Sequence, residues 1–158
     1  MNNPSVLSKM LLLYLKVSDY KEKLSLTWWR KPSKFHSPPS KLRSMHQVEE
    51  YEIKNRSVFS VSPKSEATNI HILYLHGGGY SKSFLSYHWD FIGKLVSTQK
   101  CSVTAPDYPL STHASVTEVF EFFVPLYDSL VDQHAASTIL LMGYLAVGGM
   151  DFAINEFV

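Results

Sequence analysis

A run of apolar and β-branched residues leads directly into three consecutive glycines, in the segment NIHILYLHGGGY at residues 69–80. A short run of this composition is typical of a buried strand, here residues 69–75. Glycine adopts backbone conformations that other residues avoid, and it has no Cβ to keep a ligand away from the N–H groups. The sequence therefore predicts a strand that ends in a glycine loop, which is either a plain turn or a backbone cradle for an anion.

Strands and helices alternate after this loop. The pattern predicts helices over 81–100 and 115–134, the second kinked by Pro125, and strands over 101–109 and 137–143. The first helix carries its predicted apolar or aromatic stripe at Phe84, Tyr87, His88, Phe91 and Leu95. This alternation favours an α/β fold with a parallel sheet.

The residues before the glycine loop divide into two parts. Residues 46–54 and 57–63 alternate in polarity and predict an antiparallel hairpin that leads into the sheet. Residues 5–24 predict a helix, whereas residues 31–43 hold three prolines and several cations without periodicity, as in a linker or extended arm. We therefore expect an N-terminal helix and Pro-rich basic arm over 1–45, followed by an α/β domain over 46–158.

Composition excludes several classes of function. The net charge of +1 over 158 residues favours no nucleic-acid partner. The single cysteine, Cys101, excludes an internal disulfide, fits a cytoplasmic location and is expected to be a buried, inert thiol. The apolar stretch over 10–17 is far shorter than the roughly 18 residues of a membrane span, so we expect none.

A second glycine motif stands near the end of the chain, in LLMGYLAVGGM at residues 140–150. An apolar run that enters a Gly-X-X-X-X-Gly turn before a helix is typical of the sharp turn that presents a nucleophilic serine. In this chain the serine position holds Leu145.

Three motifs together resemble the α/β-hydrolases of the hormone-sensitive-lipase-like esterase group. They are YLHGGGY (74–80), DYPL (107–110), which is similar to that family's Asp-Tyr-Arg-Leu segment, and MGYLAVGG (142–149), which is similar to its Gly-Asp-Ser-Ala-Gly-Gly elbow. The motifs follow the family's order and cover roughly residues 46–155. The resemblance implies the N-terminal portion of an α/β-hydrolase fold with a mostly parallel sheet, a carboxylic-ester substrate and no cofactor.

The resemblance also implies roles for individual residues. Three backbone N–H groups would bind an oxyanion, those of Gly78, Gly79 and Ala146. Structural roles would fall to five motif residues: His76, Gly77, Asp107, Tyr108 and Gly143. Tyr80 would line the acyl pocket, or would be a plain core aromatic.

The pattern departs from the family at the elbow. Leu145 has neither a proton to lose nor a lone pair with which to attack a carbonyl. Val147 replaces a glycine and is expected to crowd the turn, at a cost of about 1–3 kcal/mol. The triad acid and histidine follow the serine in this fold, and the 13 residues after Leu145 contain no histidine. The sequence therefore predicts a truncated, catalytically inactive form.

Two other functions remain open. One is a binding module whose glycine loop still holds a small ester or carboxylate, and the other is half of a split hydrolase, although a second chain would then have to supply the nucleophile. The Ser111-X-His113 pair is not favoured as a substitute nucleophile. His71, His76 and His88 lack the spacing of a metal site. An apolar strand over 137–143 at the sheet edge also predicts self-association.

Overall fold

The computed structural model describes residues 36–111, 113–135 and 138–143. The predicted helix over 5–24 and the elbow-like segment after Gly143 lie outside these residues. The described elements are, in chain order, α1 (Ser40–Met45), β1 (His46–Ile53), β2 (Arg56–Pro63), β3 (His71–Leu75), α2 (Ser86–Gln99), β4 (Ser102–Pro106), α3 (Val116–Gln133) and β5 (Ile139–Gly143). The strands form one sheet in the order β1-β2-β4-β3-β5.

The predicted hairpin is present at one side of the sheet. β1 and β2 pair antiparallel along their whole length, from His46 opposite Pro63 to Ile53 opposite Arg56. The two residues between the strands, Lys54 and Asn55, have φ values of 47° and 59°. Positive φ at both central residues defines the turn whose twist matches that of the flanking strands.

The remaining strands form the parallel part of the sheet. β3 pairs parallel with β4 on one side and with β5 on the other, while β2 joins β4 antiparallel. α2 connects β3 to β4 and α3 connects β4 to β5. Parallel strands need such a crossover connection, because the chain must return to the end of the sheet at which the previous strand began. The prediction of an α/β fold in which a hairpin leads into a parallel sheet is confirmed.

The helices cover opposite faces of the sheet, because successive strand residues point to opposite sides. Ile72 and Tyr74 of β3 join the cluster formed with α2, and Leu73 and Leu75 join the cluster formed with α3. Cys101 is fully buried in the α2-side cluster, as predicted, and burial raises the pKa of its thiol.

The prediction of a linker or extended arm over 31–43 is wrong at its end, where α1 begins at Ser40. Pro39 precedes the helix at φ −67°, a value that suits a helix start, and its carbonyl accepts the Leu42 N–H at 2.9 Å. The buried Leu42 side chain anchors this short helix to the α2-side cluster.

α2 begins at Ser86, five residues later than predicted, because the preceding residues belong to the glycine loop and its contacts. Its predicted apolar stripe is also partly wrong: Tyr87 and Phe91 are 48% and 44% exposed. The buried stripe is instead His88, Trp89, Ile92 and Val96, which has the spacing of one helical face.

α3 begins with a reciprocal cap. The Glu118 N–H donates to Ser115 Oγ at 3.3 Å, and the Ser115 N–H donates to Glu118 Oε2 at 2.7 Å. The helix continues through Pro125 to Gln133. In the described residues, no helix combines the length and apolarity that crossing a bilayer requires.

Candidate functional site

The glycine loop and the DYPL segment lie at the same edge of the sheet. β3 and β4 run parallel, so the residues that follow them, His76–Gly79 and Asp107–Leu110, emerge side by side. The carboxyl edge of a parallel sheet is where α/β proteins bind their ligands. The two predicted motifs are therefore brought together where a ligand site is expected.

Tyr108 joins the two motifs directly. Its ring stacks on the His76 imidazole with centroids 4.3 Å apart, and its hydroxyl donates to the His76 carbonyl oxygen at 2.6 Å. The next carbonyl, that of Gly77, accepts from His76 Nδ1 at 3.1 Å. The first two carbonyls of the loop each accept a hydrogen bond from a side chain.

The loop then makes a tight turn over Gly78–Ser81. Gly79 and Tyr80 have φ values of 59° and 57°, and the Ser81 N–H donates to the Gly78 carbonyl at 3.2 Å. This bond and the two positive φ values are those of a type I′ turn. The Ser81 hydroxyl donates to the same carbonyl at 3.1 Å. Two hydrogen bonds from Ser81 therefore close the turn.

Gly78 cannot be replaced without a change in the loop. Its φ is 132°, a region essentially reserved for glycine. A Cβ at this position would lie 2.7 Å from Lys82 Cβ and 2.8 Å from the Lys82 carbonyl oxygen. The loop packs against its own continuation so closely that only a residue without a side chain fits.

Two of the three predicted donors, Gly78 and Gly79, lie in the described part of the chain. In the part of the chain that the structure describes, the N–H groups of Gly78 and Gly79 make no hydrogen bond to protein. The carbonyls of Gly78 and Tyr80, in contrast, are each held by two donors. A loop whose carbonyls are fixed and whose N–H groups are open can present those N–H groups to an anion.

The His76 imidazole is neutral at neutral pH, and its structural role stays a prediction. Its side chain is fully buried, and burial lowers its pKa to about 4, although the bond to the Gly77 carbonyl opposes this shift. Since Nδ1 donates to that carbonyl, Nε2 carries no proton in the neutral ring. Nε2 lies 3.8 Å from Asp107 Oδ1, beyond hydrogen-bonding distance.

Asp107 ties three segments together. Its Oδ1 accepts from the Ser83 hydroxyl at 2.5 Å, its Oδ2 lies 3.8 Å from Arg56 Nη1, and its N–H donates to the Ser57 carbonyl at 2.9 Å. Burial raises the pKa of the carboxyl, and Ser83 and Arg56 oppose that shift. These contacts place Asp107 between the loop after β3 and the start of β2, and the structural role expected for it stays a prediction.

The strand that leads to the elbow-like motif lies beside the strand that leads to the glycine loop. β5 pairs parallel with β3, and its last residue, Gly143, is opposite Leu75. Leu145 and Ala146 lie outside the described residues, so the third predicted donor stays a prediction. Gly143 itself stands at the same edge of the sheet as the start of the glycine loop.

The other candidate residues do not form the nucleophile pair or the metal site that were considered for them. The Ser111 hydroxyl donates to the Tyr80 carbonyl at 3.0 Å, so it is bonded to the loop and not to His113. His71 lies at the opposite end of β3 from His76, with its ring nitrogens 2.7 and 3.0 Å from the hydroxyls of Ser102 and Thr104. Residues 36–111, 113–135 and 138–143 contain no group of three or more potential metal ligands.

The acyl-pocket role of Tyr80 stays a prediction. A cavity of about 510 Å³ lies between α1 and α2, lined in part by Leu42, Trp89 and Gly93. None of its lining residues belongs to the glycine loop. Tyr80 is partly buried.

Sequence reasoning missed the polar side chains that hold the loop. Ser81, Ser83 and Arg56 carry no recognisable motif, and Ser111 stood out only because a histidine follows two residues later. Ser81 bonds a carbonyl only three residues away, whereas Ser83, Arg56 and Ser111 contact a carboxylate or carbonyl more than twenty residues away. Hydrophobic periodicity gives no signal for either kind of contact.

The comparisons with known proteins agree with this geometry. A family model described as "alpha/beta hydrolase fold" matches residues 72–153, slightly more than half of the chain. The chain therefore belongs to the α/β-hydrolase family.

The chain is also similar to proteins described as hydrolases, esterases and lipases. The Mycobacterium tuberculosis protein LipR, named provisionally as an acetyl-hydrolase, is 27% identical over 95 residues, which cover 60% of this chain and 31% of LipR. An esterase of the bacterial hormone-sensitive lipase family has a similar structure, with a TM-score of 0.62 and 24% identity over 72% of this chain and 40% of that chain. An esterase/lipase from an uncultured bacterium has a TM-score of 0.60 and 21% identity over 90% of this chain and 54% of that chain.

The chain thus spans about a third to a half of the length of the relatives it matches. The family match confirms the resemblance to the α/β-hydrolases, and the similar esterase structures confirm the fold.

Proposed function

We propose that this chain is a relative of the carboxylic-ester hydrolases that does not itself hydrolyse esters by serine chemistry. The observation that carries the proposal is Leu145, which stands two residues after Gly143 where the resemblance expects the nucleophile. A leucine side chain cannot form an acyl intermediate. Val147, in place of the glycine that relieves crowding at the turn, supports the same conclusion.

A second candidate function is the binding of a small carboxylate or ester carbonyl at the glycine loop. Among the described residues the N–H groups of Gly78 and Gly79 have no protein acceptor, and the carbonyls of their loop are held by Tyr108, Ser81 and Ser111, which favours this function. Fixed donors bind an anion without the cost of reorganising. This function requires no nucleophile, so the loss of the serine leaves it intact.

Hydrolysis of p-nitrophenyl butyrate by the full 158-residue chain tests the first proposal. We expect release of p-nitrophenol at the rate of buffer alone. A Leu145→Ser, Val147→Gly double variant restores the residues of the elbow, and activity in this variant only would trace the inactivity to those two positions. Hydrolysis by the unaltered chain that falls in a folded Gly79→Ala variant would overturn the proposal, because a nucleophile would then act at the glycine loop.

Amide NMR of the ¹⁵N-labelled chain tests the second. Titration with sodium butyrate is expected to shift the amide signals of Gly78 and Gly79, while Gly93 in α2 serves as a remote glycine that does not move. Sodium chloride at matched ionic strength separates carboxylate binding from a general salt effect. Equal shifts at all three glycines, or none at Gly78 and Gly79, would exclude carboxylate binding at the loop.

A further inference from the structure

The turn that carries the donors contains an unusual residue. Tyr80 is the second central residue of the turn, a position that type I′ turns fill with glycine, asparagine or aspartate. A tyrosine at φ 57° is in a conformation that a residue with a Cβ adopts only when its surroundings hold it there. In the turn between β1 and β2, by contrast, the second central residue is Asn55, one of the residue types that this position favours.

Ser111 holds Tyr80 from outside the turn. Its backbone N–H and its hydroxyl both donate to the Tyr80 carbonyl oxygen, at 2.9 and 3.0 Å. This carbonyl belongs to the peptide unit whose N–H, that of Ser81, closes the turn on the Gly78 carbonyl at 3.2 Å. Fixing the orientation of this one peptide unit therefore fixes both the left-handed residue and the closure of the turn.

We propose that Ser111 is a positioning residue for the glycine loop: its hydroxyl holds Tyr80 in the left-handed conformation and thereby keeps the Gly78 and Gly79 N–H groups aimed at a bound carboxylate. The inference rests on the carboxylate-binding function proposed above and adds to it a residue that the motifs do not include. Ser111 touches no ligand and acts through Tyr80.

Three variants of the full chain separate this role from general stabilisation. Ser111→Ala removes the hydroxyl and leaves the backbone N–H, while Ser111→Thr keeps both donors on an exposed residue that has room for a methyl group. Tyr80→Gly removes the need for the restraint, because glycine adopts the left-handed conformation freely. The probe is sodium butyrate, followed at the Gly78 and Gly79 amides, and thermal melting checks that each variant is folded.

We expect Ser111→Ala to weaken butyrate binding about threefold to tenfold, the effect of losing one hydrogen bond, and Ser111→Thr to bind as the parent chain does. In the Tyr80→Gly background the effect of Ser111→Ala should disappear, because the two residues act through the same peptide unit. A residue that only stabilises the fold would lower the melting temperature in either background and would not show this dependence on residue 80.

Unchanged butyrate binding in Ser111→Ala would overturn the inference. If the parent chain does not bind butyrate, the proposed binding function fails, and the positioning role is then judged without ligand. Ser111→Ala must in that case still shift the Gly78 and Gly79 amide signals and change the Tyr80 HN–Hα coupling constant, which reports φ. If these ligand-free signals do not change, the positioning role is excluded as well.

Discussion

Replacing Gly78 with alanine tests the geometry of the glycine loop most directly. Two separate penalties meet at this position. The backbone φ of 132° lies where residues with a Cβ are strained, at a cost of about 1–3 kcal/mol. The new Cβ would also lie 2.7 Å from Lys82 Cβ and 2.8 Å from the Lys82 carbonyl oxygen, and relieving such overpacking costs about 1–3 kcal/mol.

Gly79→Ala is the matched control, because it changes the neighbouring residue by the same methyl group. At φ 59°, Gly79 is in the ordinary left-handed region, which costs a residue with a Cβ about 1–2 kcal/mol. Tyr80, at φ 57°, shows that this loop accommodates a side chain in that region. We therefore expect Gly78→Ala to lower the free energy of unfolding by about 2–6 kcal/mol and Gly79→Ala by about 1–2 kcal/mol.

Equilibrium urea unfolding of the parent chain and the two variants measures the difference. Domains of this kind are stable by only about 5–15 kcal/mol, so failure of Gly78→Ala to fold beside a folded Gly79→Ala agrees with the upper end of the range. Free energies of unfolding that agree within about 0.5 kcal/mol between the two variants would refute the reasoning, because the close contact with Lys82 would then carry no cost.

Three further outcomes are expected. Between pH 6.5 and about 4 the unfolded chain binds a proton at His76 that the folded chain excludes. The free energy of unfolding should therefore fall with decreasing pH by about 1.4 kcal/mol per pH unit from this residue. Urea unfolding at several pH values should show a dependence on pH that is shallower by that amount in His76→Phe, and equal dependences in the two chains would contradict the burial argument. Pro125→Ala gives the interior of α3 a further backbone N–H on its exposed face. It should raise the free energy of unfolding by about 1–3 kcal/mol, as followed by thermal melting. A lower melting temperature would mean that packing of the proline ring stabilises the fold. Leu140 is 51% exposed on β5, an edge strand of the described sheet. We therefore expect the chain to self-associate with increasing concentration on a sizing column, and we expect Leu140→Lys to reduce this association. Monomeric elution of the parent chain at every concentration would exclude self-association through this edge.

Much of the fold follows from local sequence. β3 and its glycine loop are predictable because a buried strand and a run of glycines are both short-range signals. The hairpin is predictable because β1 and β2 alternate in polarity. The start of α3 follows from Ser115 and Glu118, which form a cap through side chains three residues apart.

The errors arise where distant contacts override local preference. Residues 81–85 have a helical pattern but do not form a helix, because Ser81 closes the glycine turn and Ser83 bonds to Asp107. The exposed positions of Tyr87 and Phe91 follow from the face of α2 that packs on the sheet, and side-chain polarity alone does not identify that face. In the site, the carbonyls that Tyr108 and Ser111 hold lie about thirty residues earlier in the chain, so no motif could reveal these bonds.

The same separation in sequence has a consequence for the order in which the molecule assembles. The glycine loop is made early by the ribosome, but two of its restraints, from Tyr108 and Ser111, arrive only after α2 and β4 have been synthesised. Contacts that close a long loop form late because the chain must first lose the entropy of the intervening residues. A nascent chain that has not yet added β4 to β3 therefore holds all three glycines without these two tethers, and the loop takes its final shape only after β4 has joined the sheet.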